Sequence, residues 1–192
     1  MRIIRVLTLV SLAVPATLAT QQPAPQSMDN PTTASFRAFG ARYGGFLVQA
    51  FDSIPAAKYS YKPTPVQQSI GYIAQHLEDA NNQICGALGT GKPKLTAKDS
   101  LADTVKAAWP KDTLVARLKA SLEFCDAVIA RLDDSKLGEM ITVGPPGRQR
   151  QIPRARYLIV YVTDLAEHYA QLASYMRING LIPPTALPRP SR

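Results

Sequence analysis

The chain has 192 residues with 46% hydrophobic side chains, enough for one domain with a substantial core and too little charge for a disordered tract. Its formal charge is +8, falling to 8 − 2 = +6 once Arg2 and Arg5 of the N-terminal segment are set aside. The remaining bases gather at Arg148, Arg150, Arg154 and Arg156 and in the tail at Arg189 and Arg192, without the aromatic-interleaved basic face of a nucleic-acid binder, so nucleic acid is not an expected partner.

The opening "MRIIRVLTLVSLAVPATLAT" reads as a secretory signal peptide over residues 1–19. Arg2 and Arg5 form the basic start, Val6 to Leu18 the apolar run, and small residues Thr17 and Ala19 suit cleavage after Ala19. No later run is long and apolar enough to span a bilayer, so the mature chain is expected to be exported, periplasmic or secreted, in a bacterium. Residues 20–33 are rich in Pro, Gln and Asn and read as a flexible leader.

A domain over 34–182 follows. Phe36, Phe39, Tyr43, Phe46, Leu47 and Ala50 recur at steps of three and four, an amphipathic helix in which Gly44 and Gly45 either permit close approach or weaken the helix. Thr64, Pro65 and Gln67 have the residue types of a helix cap, N1 and capping box, so the second helix is expected to start at Thr64. It runs through Ile70, Ile73, Leu77 and Ile84 to "GTGKP". A loop and the short helical piece "SLADTVKAA" lead to a third long helix over "KDTLVARLKASLEFCDAVIARLDD". "KLGEMITVGPPGRQRQIPR" suggests a turn or small hairpin. The fourth helix spans about Pro153 to Ile178 and stops at Asn179-Gly180, before a Pro-rich tail over 183–192 expected to be disordered. Four long helices with no convincing strands give an all-α, four-helix bundle.

The chain has two histidines. With a step of about 100° per residue, His168 lies on the inward stripe of the fourth helix, leucines on one side and Asp164 and Gln171 on the other. His76 stands on the second helix where its apolar stripe turns polar, near Tyr72 and Asp79. Two imidazoles and a carboxylate facing each other across a bundle could hold a divalent cation; interior histidines satisfied by neighbours are the plainer reading of the same spacing. Tyr157, Tyr161, Tyr169 and Tyr175 read as core and rim aromatics. Export permits a disulfide between Cys85 and Cys125, but both positions also suit small buried hydrophobes, the commoner fate of a helical cysteine. "GALGTGKPK" lacks phosphate-loop spacing and follows a helix.

"SIGYIAQHLEDANNQIC", "LVARLKASLEFCDAVIARL" and above all "EHYAQLASYMRINGLIPPTA" resemble the DinB-like (DNA-damage-inducible, YfiT-related) superfamily over about residues 34–186. The resemblance implies a bundle running up-up-down-down with a long crossover, and homodimerisation. It also implies three metal-binding histidines, whose positions fall on His76, Asp164 and His168, so this chain departs from the pattern at Asp164. The implied cofactor is a divalent metal, zinc first, with nickel or iron as alternatives. The expectation is metal-assisted chemistry on a small molecule, hydrolysis or thiol transfer, with Tyr72, Asp79, Glu167 and Gln171 supporting the ligands or lining the pocket. Its rival is a non-catalytic envelope protein that binds a ligand or itself and has a degenerate metal site.

Overall fold

A computed structural model describes residues 29–188. The expected signal peptide, its cut after Ala19, most of the leader and residues 189–192 lie outside the described residues.

The first helix, α1 (Pro31–Ser53), starts inside the expected leader. Pro31 has no amide hydrogen to lose there, and the N–H groups of Thr32 and Thr33 donate to the Asp134 carboxylate at 2.8 and 2.9 Å. Asp134 therefore caps α1 from a hundred residues away, and Asn30 Oδ1 accepts the Asp134 N–H in return.

The second long helix, α2 (Ile70–Ala87), begins later than the Thr64 cap predicts. The N–H groups of Ile70 and Gly71 donate to the carbonyls of Tyr61 and Tyr59, and Ser69 Oγ accepts from Tyr72 N–H at 3.1 Å. With its first turn satisfied by the folded-back linker, α2 has no need of Thr64, which instead makes a turn closed by Gln67 N–H at 3.2 Å.

After a crossover holding the one-turn α3 (Asp103–Lys106), α4 (Lys111–Ile129) ends before the expected "ARLDD" segment. The strands β1 (Met140–Val143) and β2 (Arg150–Pro153) then pair antiparallel, Ile141 opposite Ile152, and bury Ile141, Val143 and Ile152 against Ala87 and Tyr157. The protein is thus mostly helical rather than purely all-α. The last helix, α5 (Arg154–Ile178), stops in a Schellman turn. Gly180 takes φ +72°, Leu181 N–H donates to Met176 O and Gly180 N–H to Arg177 O. The first tail residues are docked: Pro184–Ala186 form a turn, and Tyr169 Oη donates to Thr185 Oγ1 at 2.8 Å.

The four long helices share one core, centred on Leu47, Phe51, Ile73, Leu77, Leu118 and Leu165. Helix α1 packs on α4 and α5, and so does α2. Residue pairs across the seams give the directions. Glu78, Asn81 and Cys85 meet Arg117, Ser121 and Cys125 in ascending order, so α2 and α4 run parallel. His76 meets His168, while Gln68 meets Tyr175, so α2 and α5 run antiparallel. Arg37 meets Asp126 and Asp52 meets Lys119, so α1 and α4 also oppose. The order is therefore up, down, down, up, a correction to the up-up-down-down expectation, and parallel α2 and α4 require the long crossover.

Glycines set the fit of α1. A Cβ at Gly40 would lie 2.7 Å from Tyr161 Cε1, and one at Gly44 2.9 Å from Leu122 Cδ2, so both are close-approach positions. Gly45 differs, since a Cβ there meets nothing within 4 Å. A helix-interior glycine lowers stability by about 0.5–1 kcal/mol relative to alanine, and at Gly45 no packing contact offsets it.

Cys85 and Cys125 are both fully buried and bonded to each other, with Cα atoms 5.3 Å apart, within the range a disulfide needs. Sequence alone could not supply that separation. The bond closes a loop of 40 residues. In the chain-entropy treatment, opening it lowers stability by about 4 kcal/mol. Guanidinium unfolding with and without reductant should show a lower midpoint in the reduced protein, and the Cys85→Ala/Cys125→Ala variant should lose a similar amount.

Candidate metal centre

His76 sits midway along α2, and Asp164 and His168 lie one turn apart on α5. Because the two helices oppose, His76 is brought level with both. Asp164 Oδ1 stands 3.7 Å from His76 Nε2 and 3.6 Å from His168 Nε2. The three donor atoms lie within 4.8 Å of one another, and the imidazole rings meet edge to face with centroids 4.7 Å apart. The His168 side chain is 14% exposed, Asp164 21% and His76 36%, so the cluster opens to solvent on the α2 side.

A hydrogen-bonded chain fixes the state of His168. Tyr175 Oη donates to the Gln68 carbonyl at 3.2 Å and accepts from Gln171 Nε2 at 2.9 Å. This turns Gln171 Oε1 toward His168 Nδ1 at 3.1 Å. A carbonyl oxygen only accepts, so Nδ1 carries the proton and the neutral ring presents its Nε2 lone pair to Asp164. Burial lowers the His168 pKa and the neighbouring His76 acts in the same direction, against Asp164. His76 goes the other way: the Asp164 carboxylate raises it above its ordinary value, against burial, with smaller contributions from Asp79 and Asp103.

A lone pair and a carboxylate oxygen 3.6 Å apart repel unless positive charge lies between them. The second carboxylate oxygen, Asp164 Oδ2, is buried with no hydrogen-bond partner. Buried carboxylate oxygens are ordinarily satisfied, so the orphan calls for a cation or donor that the described residues do not supply. In a tetrahedral site with bonds near 2.1 Å, ligand atoms stand about 3.4 Å apart, close to the two separations at Asp164. The residues present therefore fit a divalent metal.

The other residues singled out from sequence divide. Tyr72 stacks on His76, rings 9° from parallel and centroids 6.4 Å apart. It also lines a cleft of about 800 Å³, with Tyr59 and Trp109 among the other walls, to which none of the three cluster residues contributes. Gln171 holds His168 as described. Asp79 turns away to the buried Lys106 of α3, which also contacts Asp103 at 3.3 Å. Glu167 is exposed and makes no hydrogen bond to the cluster. Tyr175 and Gln68 are the positioning groups that the sequence reading passed over. Tyr175 had a signal, standing four residues beyond Gln171 on the same stripe; the Gln68 carbonyl had none.

A mostly helical domain with a two-histidine, one-carboxylate cluster between opposed helices is the class defined here. The DinB superfamily model matches residues 46–172, and the chain belongs to that superfamily. A DinB-like protein from Bacillus cereus ATCC 10987 superposes with TM-score 0.61 at 18% identity, over 79% of this chain and 95% of that one. A conserved protein from Enterococcus faecalis gives 0.60 at 17%, over 79% and 96%. A mycothiol-dependent maleylpyruvate isomerase gives 0.57 at 8%, over 73% of this chain and 59% of that one. At these identities the likeness is one of fold. No curated protein sequence matches the chain.

Because the chain has only two histidines, their titration is directly readable by NMR. In chelator-treated protein His76 should titrate above the ordinary value of 6.5 and His168 below it. Asp164→Asn should lower the His76 midpoint. A His168 midpoint above that of His76 would contradict the assigned charge distribution.

Proposed function

We propose that the protein is an exported DinB-like four-helix bundle that binds one divalent metal ion, zinc first, through His76, Asp164 and His168. In this reading it carries out metal-assisted hydrolysis or thiol transfer on a small molecule. The observation that carries it is Asp164, whose Oδ1 faces the lone pair of a histidine with its tautomer held by Gln171 and Tyr175 and whose Oδ2 is buried without a partner.

When bound, such a metal lowers the pKa of a coordinated water or thiol and polarises a substrate oxygen. The chain's own residues do the rest. Gln171 keeps the His168 Nδ1 proton in place, so that Nε2 remains the ligating atom. Tyr72, one turn before His76, lies with its ring nearly parallel to the imidazole on the flank of the cluster. Tyr72 also lines the cleft that it shares with Tyr59 and Trp109, which offers a small molecule an aromatic wall. Export is supported by the disulfide between Cys85 and Cys125, a bond that persists in oxidising compartments. None of the helices among the described residues is long and apolar enough to cross a membrane.

Metal analysis of protein purified without a histidine tag tests the reading. It should return near-stoichiometric zinc, nickel or iron, lost in His76→Ala and in His168→Ala. Ligation requires both Nε2 atoms unprotonated, and the His76 proton is held above its ordinary range. Affinity for added zinc should therefore fall as pH drops, beginning above 6.5, with His76 losing its place first. Folded, metal-free protein that is unmoved by added zinc would sink the metal reading and leave a non-catalytic binding protein.

A further inference from the structure

A second groove lies between α1 and α4, on the side of the molecule away from the α2–α5 cluster. It encloses about 410 Å³, the size of a small-ligand site, and Gly45, Val48, Leu122 and Ile129 are among its walls. Tyr161 of α5 forms part of its lining.

Two independent features set this groove apart from an ordinary seam between helices. The first is Tyr161, which is 3% exposed overall and lines the groove; its hydroxyl hydrogen-bonds to no group among the described residues, and it is not one of the fully buried polar atoms. A donor on the wall of an otherwise mainly apolar groove is placed to meet an acceptor on whatever occupies it. Burial also raises its pKa, so the hydroxyl stays a donor at all working pH values. The second is Gly45. Gly40 and Gly44 are explained by Tyr161 and Leu122 pressing on them, but Gly45 faces open space on the groove, where a Cβ would meet nothing and alanine would strengthen the helix. A larger side chain at Gly45 would occupy part of the groove.

The rim indicates the charge of the occupant. Arg37 is paired with Asp126 at 2.5 and 2.8 Å, and Lys119 with Asp52 at 3.1 Å, while Glu123 adds an exposed acid. Such a rim offers an anion nothing, and the apolar walls desolvate any charged group.

We infer that the α1–α4 groove is a binding site for a neutral, mainly apolar small molecule carrying one hydrogen-bond acceptor, such as a ketone or ester carbonyl, which takes the Tyr161 hydroxyl. The ligand lies along the open face of Gly45 between Val48 and Leu122. The site does not depend on the metal centre.

Prodan, a neutral naphthyl ketone whose emission reports both polarity and hydrogen bonding to its carbonyl, is a suitable probe. The full chain should bind it saturably at one site, with emission blue-shifted from water. Gly45→Leu should weaken binding by about tenfold or more while leaving metal content unchanged and the unfolding midpoint equal or higher. Tyr161→Phe should weaken it by about fivefold, as expected for one hydrogen bond, and shift bound emission further to the blue. Unsaturable binding, or affinity unchanged in both variants, would overturn the inference. So would a wild-type dimer in sedimentation that Gly45→Leu converts to monomer, since the groove would then be occupied by a second copy of the chain.

Discussion

The parallel seam between α2 and α4 decides where the other two long helices can lie. Its register is set by polar groups that cannot slide. Asn81 Nδ2 donates to Ser121 Oγ at 3.0 Å with both residues buried, and Arg117 reaches the buried Glu78 with two hydrogen bonds. One turn of slippage would leave the Asn81 amide without its Ser121 partner and the buried Glu78 carboxylate without Arg117, each a cost of kcal/mol order, and would pull the cysteines out of bonding range. A parallel pair also forces the chain to travel the length of the molecule between the two helices. That crossover is itself tied back: Asp99 contacts Arg117, whose guanidinium lies 5.0 Å from the Trp109 ring centroid, and Lys106 contacts Asp79. With one flank of α2 thus committed, its opposite flank is left for α5. The antiparallel run of that pair brings residue 76 level with residues 164 and 168.

At the cluster, the carboxylate is what differs from a site of three imidazoles. Asp164 brings a negative charge to a partly buried place where His168 has its lone pair directed inward. Without a metal, the nearest relief is a proton on His76, and the raised His76 pKa expresses that. A dication would relieve the same repulsion more fully, satisfying Oδ1 or the orphan Oδ2 as well. Aspartate also leaves less net positive charge on a bound dication than histidine would, and so a weaker Lewis acid. The substitution is therefore compatible with metal binding and bears mainly on how strongly a bound water or thiol is acidified.

The parts of this arrangement that were legible in the sequence are those set by helical period. His168, Asp164 and Gln171 share a flank because of their spacing, and His76 stands at a stripe edge for the same reason. What could not be read depended on groups distant along the chain. The cap types at Thr64 and Gln67 were sound, but the Tyr59 and Tyr61 carbonyls took the backbone donors that a cap at Thr64 would have served. Asp79 was correctly placed near His76 by angle, yet Lys106, which a periodicity argument on α2 does not contain, turns it aside. Pairing of Cys85 with Cys125 required knowing that their helices are neighbours and parallel. Helix direction leaves no trace in hydrophobic period, and here the family resemblance supplied the wrong order.

The glycines of α1 show how two kinds of groove arise in one set of helices. Between α2 and α5 the facing positions carry polar side chains, so the seam is filled by imidazole, carboxylate and amide groups that must satisfy one another. Between α1 and α4 the facing positions are small. Gly40 and Gly44 let the α1 backbone approach until the Tyr161 ring and Leu122 are in contact with it. Contact at those two points holds α1 in place, and the residue that follows them then determines whether the neighbouring space is filled. At residue 45 glycine leaves open space on a groove whose walls are mainly apolar. That groove encloses about 410 Å³, and close packing accounts for glycine at residues 40 and 44 but not at residue 45.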